Sequence, residues 1–222
     1  MRPNPTVISF VHLSNTAMRA YFAILPFFIL ALTHDVFAQA PKYSNEFLSI
    51  GVGARGLAMS KAQVASVNDV TAAYWNPAGL TGITDNLQVA AQHAEYFAGI
   101  AKYDYVGFGT KIDETSAFGI SAIRFGVDDI PNTTQLIDQS GQVNYDRITT
   151  FSAADYAFLL SYAKKLGTKG LSVGGNAKII YRQVGDMARA WGFGIDAGAQ
   201  YKFGQWNVGV VGRDITSTFN AW

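Results

Sequence analysis

The chain has 222 residues, a formal charge of +1 and no cysteine, which excludes a disulfide framework, thiolate metal sites, a thiol nucleophile and lipidation at an N-terminal cysteine. Only 15% of residues are charged and 49% are apolar, far from the roughly 25% charge usual in soluble domains, and no charge imbalance points to nucleic acid. The 22 glycines, 11 tyrosines and 15 phenylalanines favour a pleated, tightly turned, all-β chain.

In chain order, the first segment is an address. The most apolar run is Tyr21–Leu32; it follows Arg19 and precedes Val36-Phe37-Ala38. A basic residue, a short apolar core and a small-x-small site make a secretory signal peptide. A membrane anchor is the competing reading, but the run is shorter than the roughly 20 residues needed to span a bilayer, and Pro26 interrupts it. Cleavage is expected after Ala38, because Pro41 disfavours the site after Ala40; Met18-Arg19 is a second candidate start. Loss of residues 1–38 removes Arg2, Arg19 and Asp35, leaving a mature chain of zero formal charge whose one histidine is His93.

Residues 39–85 form a second segment, rich in glycine and small residues and without strand alternation. Its Gly51-Val52-Gly53-Ala54-Arg55-Gly56 formally matches a dinucleotide-binding turn, with Asp69 downstream as the acidic partner. That chemistry needs a βαβ unit to bring a helix N-terminus to the pyrophosphate. No such unit follows, so a tight glycine-rich turn is the favoured reading.

Residues 86–222 alternate with period two. On one face of 171–184 lie Leu171, Val173, Ala177, Ile179 and Tyr181; on the other lie Ser172, Asn176, Lys178 and Arg182. The stretch 191–203 repeats this, with Trp191, Phe193, Ile195, Ala199, Tyr201 and Phe203 against Asp196, Gln200 and Lys202. Successive strand side chains point to opposite faces, so each strand is apolar on one side, with aromatics at both ends. That is the placement a membrane barrel requires. Further strands are expected at 86–97, 102–112, 116–127, 151–166 and 206–216. Tight connections at Asp113-Glu114, 167–170 and Gly204-Gln205 alternate with a long polar one at about 128–150. Short turns force antiparallel neighbours, and short turns at one end with longer loops at the other characterise outer-membrane barrels. The competing soluble β-sandwich has strands nearer five or six residues.

Three motifs in the second segment carry a resemblance. Gly53-Ala54-Arg55-Gly56, Ala65-Ser66-Val67-Asn68-Asp69 and above all Ala73-Tyr74-Trp75-Asn76-Pro77-Ala78-Gly79-Leu80 resemble the PorV/PorQ family, a Bacteroidetes branch of the FadL-like outer-membrane proteins. Ser60-Lys61 stands where that resemblance implies a glycine-rich pair. The resemblance implies an N-terminal plug within an antiparallel up-and-down transmembrane barrel of about fourteen strands. This chain has room for roughly seven, at about 10 residues each. An unpaired edge is not tolerated in lipid, so the chain is expected to cover only part of the barrel. Trp222 is a terminal aromatic, and Thr216–Trp222 reads as an interrupted strand approach. Arg55, Gly56, Asp69, Trp75, Asn76, Pro77 and Gly79 are the structural residues expected to build the plug, with Asn76, Pro77 and Gly79 in a compact turn at its junction with the barrel.

No catalytic, cofactor or metal site is expected. His93 lies beside Glu95 without a second histidine or cysteine in the mature chain, whereas zinc needs three or four ligands; a polar lumen or rim residue is the simpler reading. Asp128-Asp129 falls in the long connection, and the remaining carboxylates are scattered. Lys178, Arg182, Asp196, Gln200, Lys202 and Arg213 share polar strand faces and are expected to seat the plug rather than line a selective pore, because charges in a narrow lumen normally pair. Lys178 and Asp196 are each expected to tolerate polar replacement. The resemblance implies an accessory of type IX secretion, not an enzyme, whose partners are outer-membrane lipid, C-terminal domains of secreted cargo and other secretion components. FadL-like uptake of hydrophobic small molecules and a soluble periplasmic β-protein are the alternatives.

Overall fold

The structure, a computed structural model, describes residues 45–138, 140–167 and 170–216, and the backbone of 219–221. The expected leader lies outside these residues, as do Thr168, Lys169 and Trp222. Seven strands pair antiparallel in sequence order: β1 (Leu87–Tyr96), β2 (Ala101–Lys111), β3 (Ser116–Asn132), β4 (Thr149–Leu166), β5 (Leu171–Val184), β6 (Ala188–Phe203) and β7 (Trp206–Gly212). A short β8 (Phe219–Ala221) pairs with β6 beyond the end of β7. The fold is therefore all-β, an up-and-down antiparallel meander making part of a barrel wall.

The alternation separates the two faces cleanly. One cross-strand row runs Val89, Phe108, Ile120, Leu160, Ala177, Ile195, and its members are exposed. The next row runs Ala91, Val106, Ala122, Phe158, Ile179, Phe193 and is equally apolar. An exposed wall without a polar residue over two rows and six strands suits hydrocarbon, not water. The following row ends in stacked and tilted aromatics: Tyr156–Tyr181 at 6.1 Å and Tyr181–Trp191 at 4.5 Å between ring centres.

At one end of the wall the connections are the tight 112–115, 167–170 and 204–205; at the other lies the long 133–148. In the first turn, the Asp113 carboxylate accepts hydrogen bonds from the Thr115 and Ser116 amides at 2.7 and 2.8 Å. The Thr115 hydroxyl, which also donates at 2.7 Å, contributes most, and together with these amides it holds the carboxyl down at about 2, against roughly 3.9 for a free aspartate. A depressed pKa stabilises above the unfolded value and loses that effect as pH falls through the folded one. The Thr115 and Ser116 amides should therefore keep their hydrogen-exchange protection above pH about 4 and lose it progressively towards pH about 2. Protection unchanged to the bottom of that window would show that the carboxylate does not hold the turn.

Two sequence expectations need correction. β3 does not stop at 127: the register slips between Val127 and Ile130, and the strand resumes to Asn132. Asp128 and Asp129 are therefore a β-bulge, with Asp129 at φ 56°, and the loop shortens to 133–148. The Asp128 carboxylate is held by Lys102 and Arg124, both at 3.2 Å. The seventh strand stops at Gly212 instead of 216, because Asp214 turns to φ 51° and aims its amide at the Asp196 carboxylate, 2.9 Å away. Of the two places expected for His93, lumen or rim, the structure excludes the lumen: it lies on the exposed face with Leu87 and Val89, three residues from the end of β1 and paired to Asp104 at 2.6 Å.

Residues 45–83 pack on the other, concave face. They form a 3-10 turn (Glu46–Ser49), α1 (Ala54–Ala58), α2 (Ala72–Trp75) and a second 3-10 turn (Pro77–Gly82). Helices this short do not hold in water alone. Burial supplies what propensity lacks: Phe47, Val52, Val67, Trp75 and Leu80 form one core with Tyr103, Tyr105, Ile123, Leu159 and Ile180 of the wall.

Candidate functional site

The contact between plug and wall is where the polar chemistry of the chain converges. The plug has little regular structure, so its backbone polar groups need partners from elsewhere. Wall side chains supply them. The Val70 and Gly53 amides donate to the Gln88 and Gln92 carbonyl oxygens at 3.2 and 2.6 Å. Asn176 donates to the Ala73 carbonyl at 2.8 Å. Gln200 donates to the carbonyls of Val64 and Val67 at 3.0 and 3.1 Å. Arg213 donates to the Tyr74 carbonyl at 3.4 Å, its guanidinium 5.3 Å from the centre of that residue's ring.

The seat also needs the backbones to approach. Gly174 and Gly198 are cross-strand partners on the inner face. A Cβ on Gly174 would sit 2.6 Å from the Pro77 carbonyl carbon and the Ala78 nitrogen, and one on Gly198 would collide with the Asn76 side-chain oxygen. The Asn-Pro-Ala turn thus rests where the wall has no side chains.

Each expected plug residue has a definable place. Asn76 is fully buried. Its Nδ2 donates to Val64 at 2.8 Å within the plug and to Ala199 at 3.1 Å on β6, while its Oδ1 accepts from the Ala78 amide at 3.2 Å. Pro77 opens the 3-10 turn and, like Gly79, is buried; a Cβ at Gly79 would collide with the Val67 carbonyl. Trp75 donates from Nε1 to the Val52 carbonyl at 3.0 Å and lies over Gly56, where a Cβ would be 2.6 Å from the ring. Asp69 accepts from the Thr71 amide at 2.8 Å and fixes the entry to α2. Arg55 is exposed and reaches Asn68 at 3.4 Å, so it stands apart from the seat. Asn76, Pro77 and Gly79 lie deep in the packed centre; the junction with the barrel is the stretch from Ile83 to Asn86.

The glycine motif at 51–56 is a turn: Gly51 and Gly53 have φ of 105° and 76°, and the wholly antiparallel sheet contains no βαβ unit. Ser60 and Lys61, at the place where glycines were expected, have φ of 50° and 70°, so the left-handed conformation persists without the residue that adopts it freely.

A buried ion cluster lies beside the seat. Lys178 Nζ is 3.0 Å from Asp196 and 2.7 Å from Asp214, and Asn176 links it to the plug by donating to Asp196 at 3.3 Å. Arg182 pairs with Asp155, with one contact at 2.8 Å. The side chains of Lys178 and Asp196 are 3% and 7% exposed. That burial overturns the expectation that either tolerates polar replacement, since removing one partner strands the other's charge. Gln88 and Gln92 were not expected at the site. The signal was present, as both are amides on the polar face of the first strand.

Replacing Asn76 and Pro77 together by alanine should loosen the plug. The Ala199 carbonyl on β6 loses its Asn76 donor and the Val64 carbonyl is left with Gln200 alone, and the φ restraint that sets the turn is removed. Trypsin should then cut faster after Arg55 and Lys61 while β1–β7 stay protected. Unchanged cleavage would show that the motif does not hold the plug.

The fold and this seat define a class: a β-barrel wall with an apolar exterior and an N-terminal segment packed into its interior. A family model described as type IX secretion system protein PorV matches residues 39–209. The chain belongs to that PorV family, and a role in type IX secretion follows from it. No curated protein matches the chain.

Proposed function

We propose that the protein works in the outer membrane as an accessory of type IX secretion that handles cargo and docks other components of the system. The observation that carries this beyond family membership is the seat itself. Wall amides from β1, β5 and β6 grip the plug backbone inside an apolar exterior. A protein with a gripped plug works through the surfaces and loops it presents, whereas FadL-like uptake requires a lumen that opens. The short-turn end would face the periplasm and the 133–148 loop the outside. Export would use the leader, giving a mature chain starting at Gln39; the family match also begins at residue 39. Mass spectrometry of envelope protein should find that N-terminus, and a retained leader would contradict it. The functional test is tagged purification from detergent-extracted membranes. Secreted proteins should co-purify with the wild type. Their absence, together with saturable fatty-acid binding, would favour the transporter instead.

A further inference from the structure

Below the plug, at the short-turn end of the wall, lies a cavity of about 740 Å³, within the size range of ligand sites. Its roof is plug backbone at Ala65–Asn68 and Thr81–Thr84. Three lysines line it: Lys111 on β2, Lys165 on β4 and Lys202 on β6. Glu114 is the one carboxylate of the lining, 3.0 Å from Lys111. Three cations against one anion leave two positive charges in excess. Among the described residues, Lys165 reaches only the Glu114 backbone carbonyl, at 3.4 Å, and Lys202 makes no ion pair. Ser66, also in the lining, has a buried hydroxyl without a hydrogen-bond partner.

Spacing decides what kind of anion fits. The lysines stand on alternate strands, and strands are about 4.8 Å apart, so neighbouring lysines are separated by about 10 Å. A single phosphate or carboxylate would have to draw all three stems together against the repulsion of their charges, whereas separate carboxylates meet each where it is anchored. An extended chain advances about 3.3 Å per residue, so carboxylates three residues apart repeat at that same interval. Lysine is a point charge on a flexible stem, which suits separate carboxylates better than the forked recognition of one oxyanion.

We propose that this cavity binds an extended acidic peptide segment, its carboxylates meeting Lys111, Lys165 and Lys202. That the cavity opens to the periplasm rests on the membrane reading above; the binding does not. The test uses the full-length protein in detergent and a fluorescein-labelled hexaglutamate peptide, read by fluorescence polarisation at low salt. Each solvated ion pair contributes a few-fold, so the triple variant K111Q/K165Q/K202Q should bind about tenfold more weakly. Lys164→Gln changes one charge on the outer face of the same strand and should leave affinity unchanged. Heat-modifiable migration on gels reports whether each variant remains folded, and single variants replace the triple one if it does not. Equal weakening by Lys164→Gln, unchanged binding by the lysine variants, or binding of inorganic phosphate without binding of the peptide would each overturn the proposal. Extraction of the protein with the membrane is scored separately, so loss of peptide binding and failure of the membrane reading are distinguishable.

Discussion

Lys178→Ala is expected to destabilise the folded protein by about 3–5 kcal/mol, the cost of breaking a buried ion pair by removing one partner. The size follows from where the charges lie. Asp196 is 7% exposed on its side chain, too little for water to replace the ammonium. Asp214 is 35% exposed and can be rehydrated, so Asp196 bears most of the penalty. Asn176 and the Asp214 amide would still donate to it, but two neutral donors do not cancel a charge. The effect should spread to the plug, because Asn176 also holds the Ala73 carbonyl. Denaturant unfolding in detergent, followed by tryptophan fluorescence, measures the loss. Adding Asp196→Asn to Lys178→Ala removes the stranded charge and should restore part of it, which a double-mutant cycle reads as coupling. A single-variant loss below about 1 kcal/mol would mean that the pair is solvated like a surface bridge.

The strands were legible because a period of two is a backbone property: Leu171 to Val184 and Trp191 to Phe203 alternate in the sequence, and burial alternates over 176–180 and 189–197 at their centres. The tight turns were legible from their glycines and from Asp113. What could not be read were the places where a side chain or a left-handed residue overrides the period. Asp129 adopts φ 56° in the bulge of β3, and an Asp-Asp pair reads as a polar loop until its cations, Lys102 and Arg124, are seen across the sheet. Asp214 ends the seventh strand through a bond to Asp196, eighteen residues earlier. The Asn-Pro-Ala motif announced a turn but not its depth, which depends on Gly174 and Gly198 leaving room from strands about a hundred residues away. The sequence left His93 open between lumen and rim; its partners, Asp104 and Glu95, lie with it on the exposed face and exclude the lumen.

Ile195→Arg probes that wall where it is least polar. Ile195 is 51% exposed and closes the row that begins at Val89, with Ala177 as its partner on β5. Its neighbour Asp196 points to the buried face, so the two positions differ in environment and not in strand. If the row meets the centre of the hydrocarbon, arginine there should cost about 2–4 kcal/mol, falling to about 0–1 near the interfaces. The depth dependence is the informative part. Tyr201→Arg, six residues on and close to the tight 204–205 turn, changes the same face by the same charge and should cost far less. Equilibrium unfolding in phospholipid vesicles, with both variants beside the wild type, gives the comparison. Equal small costs at the two positions would mean that the wall faces water, and the apolar rows would then need a protein partner instead of lipid to cover them. A large cost at Ile195 with a small one at Tyr201 is the profile of a bilayer, because only a medium whose polarity changes along the strand tells the two sites apart.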